Sequence, residues 1–380
     1  MRQKVYQAEK SARIKVLPVE PSFPVAAKSK NHSHFLPVGL LKIGSYHRLS
    51  GDKVRLVRGL RRCGFTPDRI LITSLFTYWS KYVHKAAEFY HKAYPSAKIE
   101  IGGVYASLMT KDCKKRSPFA TIHRGLYRGG AAEKVPVDYS ILPEDLDYQI
   151  IHSSRGCTRR CTFCGTWRIE PEFTCVDSVI PLIKKRKLVF YDNNLLANPY
   201  IDKILRELAG YRTKKGHPLR CESQSGFDLR LLTQERAKLL KDAHFVNPRI
   251  AWDGSYKTWP KVKNAIGLLE KVGYKRKEIY IFMIYNCVLP YAEMKKKLEA
   301  CRRWKVRVID CRYRPLDYTE DNYRPGSRAQ ENGEYYIHDG WTDSQVRRFR
   351  RSVRRQNIAI LLDLPNGRYI PGCESHKVAV

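Results

Sequence analysis

Cys157, Cys161 and Cys164 fall close together in the stretch SSRGCTRRCTFCGTW, residues 153–167. Three thiolates on one short loop can hold three irons of a cubane iron–sulfur cluster and leave the fourth iron without a protein ligand. Two other chemistries compete. A structural zinc site wants four ligands and typically draws on paired CxxC units, and no second CxxC occurs in the chain. A redox dithiol needs only two cysteines, which leaves the third idle. Arg155, Arg159 and Arg160 flank the trio, where they either offset the negative charge of a thiolate-bound cluster or belong to a general basic excess. Gly156 lets the backbone turn out of the preceding strand toward the loop.

A loop of this kind needs elements to carry it. Strand-like apolar runs follow one another at YQIIHSS (148–154), KLVFYD (187–192), LRCES (219–223), RIAWD (249–253), EIYIFMIYN (278–286) and VRVIDCR (306–312). Helical periodicity intervenes near 174–185, 200–210, 232–243, 258–272 and 291–303. Strands alternating with helices predict a parallel sheet covered by helices, and the six strands predict a partial (β/α)6 barrel over residues 148–315. Functional groups in such barrels sit at the C-terminal ends of the strands. The trio falls just past the first of them.

Residues 1–125 show a similar alternation. RIKVLPV (13–19), KVRLVRG (53–59), RILITSL (69–75) and AKIEIGG (97–103) read as strands. FLPVGLLKIGSYHRLSG, ending at Gly51, and the segment Phe76–Tyr94 read as helices. This predicts a Rossmann-like α/β domain. Residues 126–147 read as a linker, and 316–380 as a C-terminal helical extension. That extension contains WTDSQVRRFRRSVRRQNIAI, in which Thr342 and Gln345 form a capping box. Val346, Phe349 and Val353 line one side of the helix, and Arg347, Arg348, Arg350, Arg351, Arg354 and Arg355 crowd the rest.

The 380 residues allow two domains. No apolar run reaches the roughly 18 residues of a membrane span, and the N-terminus lacks the apolar core of a signal peptide. The chain is therefore expected to be cytoplasmic and off the membrane. Of its eleven cysteines, eight are scattered singly, unlike a disulfide scaffold. Cys287, Cys301, Cys311 and Cys373 are expected as core thiols, and His32, His34 and His47 as surface or capping residues. The formal charge is +34, from 71 Lys and Arg against 37 Asp and Glu. Such a surplus attracts polyanions, nucleic acid first and anionic membrane second. It is spread through runs such as KKRK (184–187) and RTKKGH (212–217), so a nucleic-acid partner and a generally basic proteome both account for it. The tail helix is either a phosphate-contacting helix or a solvated basic face.

CTRRCTFC (157–164), with Phe163 before its last cysteine and a place just after the first barrel strand, resembles the CxxxCxxC signature of radical S-adenosylmethionine enzymes. The resemblance covers roughly residues 148–315. It implies a 4Fe–4S cluster on Cys157, Cys161 and Cys164, with S-adenosylmethionine bound at the open iron. It also implies reductive cleavage to a 5′-deoxyadenosyl radical that attacks an unactivated carbon, and a reductant such as a flavodoxin or ferredoxin. Phe163 would lie at the cofactor. The family's second strand often ends in a Gly-Gly-Glu-like motif that meets the methionine ammonium. Here YDNN stands instead, and Asp192, Asn193 and Asn194 can accept from an ammonium or simply form a turn. After the third strand, Glu222, Gln224, Asp228 and Arg230 gather. Gln224 and Arg230 are assigned to S-adenosylmethionine, and Asp228 either joins them or caps the next helix. Asp253, Tyr285 and Asn286 end the next two strands. Arg312 and Arg314, at the sixth, can take an anionic substrate group. Cys175 is the one nearby candidate for a fourth cluster ligand.

LITSLF followed by IEIGGVYAS resembles the cobalamin-binding domain that precedes many radical S-adenosylmethionine cores. On that resemblance Ser74, Gly102 and Gly103 would line the dimethylbenzimidazole tail, although the Asp-x-His-x-x-Gly motif is absent. Three functions stand open. The first is a radical enzyme acting on an unactivated carbon, with nucleic acid among its substrates. The second is a cobalamin-dependent methyltransferase acting on a peptide or small natural-product precursor. The third is a nucleic-acid-binding protein with a structural cluster, for which a fourth protein ligand would be the signature.

Overall fold

Runs of β-branched and aliphatic residues form short strands buried on both faces, as parallel sheets require. A computed structural model describes residues 13–24, 36–142, 145–324, 329–331 and 333–364. Residues 1–12, His32, His34 and Cys373 lie outside them. The chain divides into two compact units: 1–146 with 161–171 and 315–321, and 147–160 with 172–314 and 322–380. Both are mixed α/β structures built on parallel sheets.

The first unit runs β1 (Lys15–Glu20), α1 (Val38–Leu49), β2 (Lys53–Val54), β3 (Val57–Arg58), β4 (Arg69–Ser74), α2 (Ser80–Ala93), β5 (Lys98–Gly103), α3 (Val104–Leu108), α4 (Thr110–Arg116) and β6 (Thr121–Ile122). The returning segment 161–171 adds α5 (Thr166–Ile169). The sheet order is β2–β1–β4–β5–β6, with β3 also on β1, and every pairing is parallel. The run 53–59, read as one strand, keeps a single register along β1 but its ladder lapses at Arg55 and Leu56. Residues 127–134 and 139–141 form 3₁₀ turns. They are tied to α1 where Asp138 donates its N–H to Ser45 Oγ at 2.7 Å and pairs with Arg48 at 2.7 Å.

On α2, His84 is 5% exposed and bridges Ser117 Oγ and Tyr105 Oη, each at 2.8 Å. Tyr105 spends its proton on Asp112 Oδ2 at 2.6 Å. The Tyr105 oxygen therefore accepts from Nε2–H, and Nδ1 is left to accept from Ser117, which describes a neutral ring. Burial, reinforced by the Arg116 charge, lowers the His84 pKa from 6.5 to about 4. The folded pKa lies below the unfolded one, so the stability contribution is intact above pH 6.5 and lost as pH falls toward 4. The expected loss is roughly 3 kcal/mol. Urea unfolding of the full chain on either side of that window should show it, and His84→Asn should flatten the fall.

The second unit contains β7 (Tyr148–Ile151), β8 (Ser154–Arg155), β9 (Thr174–Cys175), β10 (Lys187–Phe190), α6 (Ile201–Gly210), β11 (Arg220–Ser223), α7 (Gln234–Asp242), β12 (Arg249–Ala251), α8 (Trp259–Lys271), β13 (Tyr280–Tyr285), α9 (Tyr291–Arg303), β14 (Arg307–Arg312) and α10 (Asp343–Leu361). Two three-stranded parallel sheets, β7–β10–β11 and β12–β13–β14, follow chain order. Phe227 bridges Ile250 in parallel, and a buried ion pair between Glu222 and Arg249 ties β11 to β12. All six strands thus point their C-terminal ends the same way.

The helix expected near 174–185 does not form. Val176 follows the β8–β9 ribbon, and only a 3₁₀ turn appears, at Ile180–Leu182. Pro181 lacks the N–H that a helix interior needs and clashes with the preceding turn. The tail helix does form, with the Thr342–Gln345 capping box in place and Val346, Phe349 and Val353 buried. Among the described residues no helix is long and apolar enough to cross a membrane.

Candidate functional site

The C-terminal edge of the second unit's strands collects the polar groups. Asp192, one residue past Tyr191 at the end of β10, is 1% exposed. Its carboxylate accepts from Ser153 N at 3.0 Å, Ser153 Oγ at 2.6 Å and Ser154 Oγ at 2.7 Å. Burial raises its pKa above 3.8 and these donors oppose the rise. Asp192 was expected to face an ammonium or to form a turn; it is buried, and its carboxylate accepts from within the fold. The residue clips β10 to the segment that leads into the cysteine loop. Asn193 is exposed and donates to the Gly156 carbonyl at 3.3 Å. Gly156 has φ +74°, so the turn out of β8 uses a conformation open to glycine.

Asn194 differs from both neighbours. It is 4% exposed and donates from Nδ2 to Asp228 Oδ2 at 3.4 Å, while its buried Oδ1 has no hydrogen-bond partner. An orphaned buried amide oxygen is a vacant acceptor, and leaving one unpaired is unfavourable. Asp228 is fixed from three sides. Arg230 reaches it with Nε at 3.0 Å and Nη2 at 2.6 Å, the Arg230 N–H adds a bond at 3.1 Å, and Arg159 stands at 4.0 Å. Burial alone would raise the Asp228 carboxyl, but the Arg230 fork and then Arg159 outweigh it and hold the carboxyl below 3.8. The next helix is capped by Thr233, which accepts from Arg236 N, and not by Asp228. Gln224 is half-buried, its Nε2 3.5 Å from Glu222 Oε1.

Sequence reading names Asp253 at the end of β12 but misses the lysine beside it. Lys297, 0% exposed on α9, donates to the carbonyls of Trp252 at 2.7 Å and Gly254 at 3.0 Å, the two residues flanking Asp253. Burial lowers its ammonium to about 8, with Asp253 opposing. Burial also raises the Asp253 carboxyl, against the pull of Arg159 and Lys297. Nothing in KKK (295–297) separates the buried lysine from its exposed neighbours.

Other expected positions serve the fold. Asn286 holds the tail, donating to Tyr336 O at 2.9 Å and accepting from His338 N at 3.0 Å. Tyr285 is buried against Phe349, ring centres 4.9 Å apart. Arg312 is 9% exposed and lies over the rings of Tyr323 at 4.4 Å and Tyr335 at 5.0 Å. Its guanidinium is thus held among aromatics, while Arg314 donates to the Arg312 carbonyl at 3.3 Å. In the first unit Ser74 Oγ donates to Gly102 O at 2.7 Å and accepts from Ala106 N at 3.0 Å. Gly103 has φ +98°, and a Cβ there would run into the Ser74 carbonyl. The three positions assigned to cobalamin thus join β4, β5 and α3, with the Ser74 hydroxyl proton spent on Gly102 O.

The cysteines lie in an irregular stretch without strand or helix, half-buried and outside any disulfide. In the second unit, Cys157 Sγ sits 3.4 Å from Arg159 N. In the first, Cys164 N–H closes a turn onto Cys161 O at 3.1 Å, Trp167 Nε1 donates to the same carbonyl at 3.2 Å, and Cys164 Sγ lies 3.3 Å from Thr166 Oγ1. Phe163 is half-buried within that turn. Among the described residues no three Cys, His, Asp or Glu side chains are gathered to hold a metal ion. Cys175 pairs with Ser154 across the β8–β9 ribbon, and burial, then the Asp192 charge, raise its thiol pKa.

No family model matches this sequence, and no curated protein matches it. Among solved structures, the crystal structure of Streptococcus suis SuiB bound to S-adenosylmethionine is similar over 46% of this chain and 41% of that one, at 13% identity and a TM-score of 0.34. The chain spans less than half of that structure's length. A likeness so slight assigns neither ligand nor activity.

Proposed function

We propose that this chain is a radical S-adenosylmethionine enzyme. The observation that carries the reading is a CxxxCxxC loop that follows the first strand of a parallel sheet at its C-terminal end, its three cysteines outside any disulfide. The donor set fits a cluster: three soft ligands, half-buried, on backbone with no ladder or helix to break. Cys157, Cys161 and Cys164 would hold the 4Fe–4S cluster, which when bound supplies the electron that cleaves S-adenosylmethionine to a 5′-deoxyadenosyl radical.

The chain's own groups do the rest by holding and orienting. Asp192 and Asn193 fix the segment from Ser153 to Gly156 from which the loop departs. Asn194 Oδ1 offers an acceptor to an ammonium. Gln224 lies half-buried on the same strand edge, an amide of the kind that meets a ribose or carboxylate. Arg230 and Arg159 keep Asp228 ionised, which gives the edge a fixed negative point. Asp253 is a carboxyl held toward its protonated form, suited to giving or taking a proton at a substrate.

The test is anaerobic. The purified chain is reconstituted with iron and sulfide, reduced with dithionite, and given S-adenosylmethionine. Expected are a charge-transfer spectrum that survives desalting and reductant-dependent formation of 5′-deoxyadenosine. A sample with neither cluster nor cleavage would sink the reading.

A further inference from the structure

The opposite end of the second unit carries a separate feature. A cavity of about 770 Å³ is lined by Lys275, Arg276, Lys277, Arg302, Arg303 and Lys305, closed on one side by Ala359–Leu364 at the end of α10. Residues 275–277 precede β13 and residues 302–305 precede β14. The cavity therefore faces the N-terminal ends of the strands, away from Asp192, Asn194 and Asp253. Three of its cations are neutralised: Arg276 by Glu270, Lys277 by Asp363 at 2.6 Å, and Arg302 by Glu299 at 3.2 Å. Lys275, Arg303 and Lys305 are exposed and form no ion pair among the described residues. Asp363, on which both Lys277 and Lys305 act, is the one carboxylate in the lining, so cations outnumber acids around the concavity and a bound anion relieves their mutual repulsion.

The basic surface continues beyond the cavity. Arg348, Arg351 and Arg355 are exposed on one face of α10, spaced to share it, and the helix runs from them into the cavity wall. A free phosphate would use the cavity alone, whereas a strand would use both. The cavity lies in the roughly 300–1,000 Å³ range of small-ligand pockets, too small to admit a duplex. A flat bilayer surface cannot place phosphates at its depth.

We propose that this end of the second unit is a docking site for the phosphodiester backbone of single-stranded nucleic acid, entering the cavity at Lys275, Arg303 and Lys305 and running along Arg355, Arg351 and Arg348. It rests on charge and shape, so it is read on the chain without cluster, and its failure would leave the radical reading untouched.

The experiment is fluorescence anisotropy with a labelled mixed-sequence single-stranded RNA, titrated at several salt concentrations. The combined variant Lys275→Glu, Arg303→Glu, Lys305→Glu is compared with Lys214→Glu, Lys215→Glu, Lys261→Glu, which removes as much positive charge from exposed positions elsewhere. The cavity variant should bind at least about 10-fold more weakly, with a log–log salt slope shallower by about 2, as loss of three phosphate contacts on a single strand requires. The control should stay close to the parent. Arg351→Glu with Arg355→Glu should weaken RNA but leave tripolyphosphate competition unchanged. Equal losses in cavity variant and control would mean that net charge alone binds, and would overturn the site. So would tripolyphosphate binding as tightly as RNA, or phosphatidylserine vesicles binding more tightly than either. Thermal unfolding of each variant checks that the comparison is between folded chains.

Discussion

Alanine at Cys157, at Cys161 or at Cys164 is expected, each alone, to remove the iron–sulfur spectrum and with it 5′-deoxyadenosine formation. Each cysteine would hold one corner of a cluster that has no spare protein ligand, so the loss should exceed the roughly 10–100-fold that follows removal of an outer-shell partner. Cys175→Ser is the decisive comparison. Cys175 lies on the β8–β9 ribbon, and its thiol is pushed up by burial and the Asp192 charge, which disfavours the thiolate a metal needs. It should therefore keep both cluster and cleavage. A cluster lost with Cys175→Ser would point to four protein ligands and a structural role, and would remove the vacant iron on which the radical reading depends. Iron and sulfide content, measured beside the absorption spectrum, separates failed assembly from failed chemistry.

Much of the scaffold was legible because its signals are local. Apolar runs of four to six residues alternate with helical stretches, and the six parallel-sheet strands of the second unit emerge where the sequence puts them, the β8–β9 ribbon apart. The capping box of α10 needed only Thr342 and Gln345. The segment 174–185 misled because its apolar spacing suits a helix while Pro181 and the pull of Asn198 on Val176 O, 3.1 Å away, forbid one. The site was legible in types and not in partnerships. The sequence offers Asp192 and Asn194, two residues apart, as equal candidates, and only three dimensions show the first bonded to the serines and the second with an open oxygen. Arg312 reads as a cation free to meet an anion until Tyr323 and Tyr335, distant in the chain, are found against it. Lys297 carries no sequence signal, since burial and not identity makes it unlike Lys295 and Lys296.

Asp192 yields the largest stability effect. Its carboxylate faces donors only: the Ser153 N–H, the Ser153 hydroxyl and the Ser154 hydroxyl, all buried. An acceptor-only group suits such a pocket, so the ionised form is the better match even though burial raises the pKa. Asp192→Ala strands these donors at about 1–3 kcal/mol for each left unsatisfied. Rotation of the two hydroxyls recovers part of that, and the expected net loss is roughly 3–5 kcal/mol, the range for removing one side of a buried charged network. Asp192→Asn keeps one acceptor oxygen but turns an amide N–H₂ toward the serines, so an intermediate loss is expected. Urea unfolding measures both, and an alanine variant within about 1 kcal/mol of the parent would show that the clip is dispensable. The functional consequence runs through the same atoms. Ser153 and Ser154 begin the stretch that Gly156 turns into the cysteine loop, so Asp192→Asn should remain folded yet load cluster less completely at limiting iron. A ligand to the methionine ammonium would behave differently, leaving cluster content intact and weakening only S-adenosylmethionine. That second pattern is expected of Asn194→Leu, which removes the open acceptor and leaves the serine clip in place.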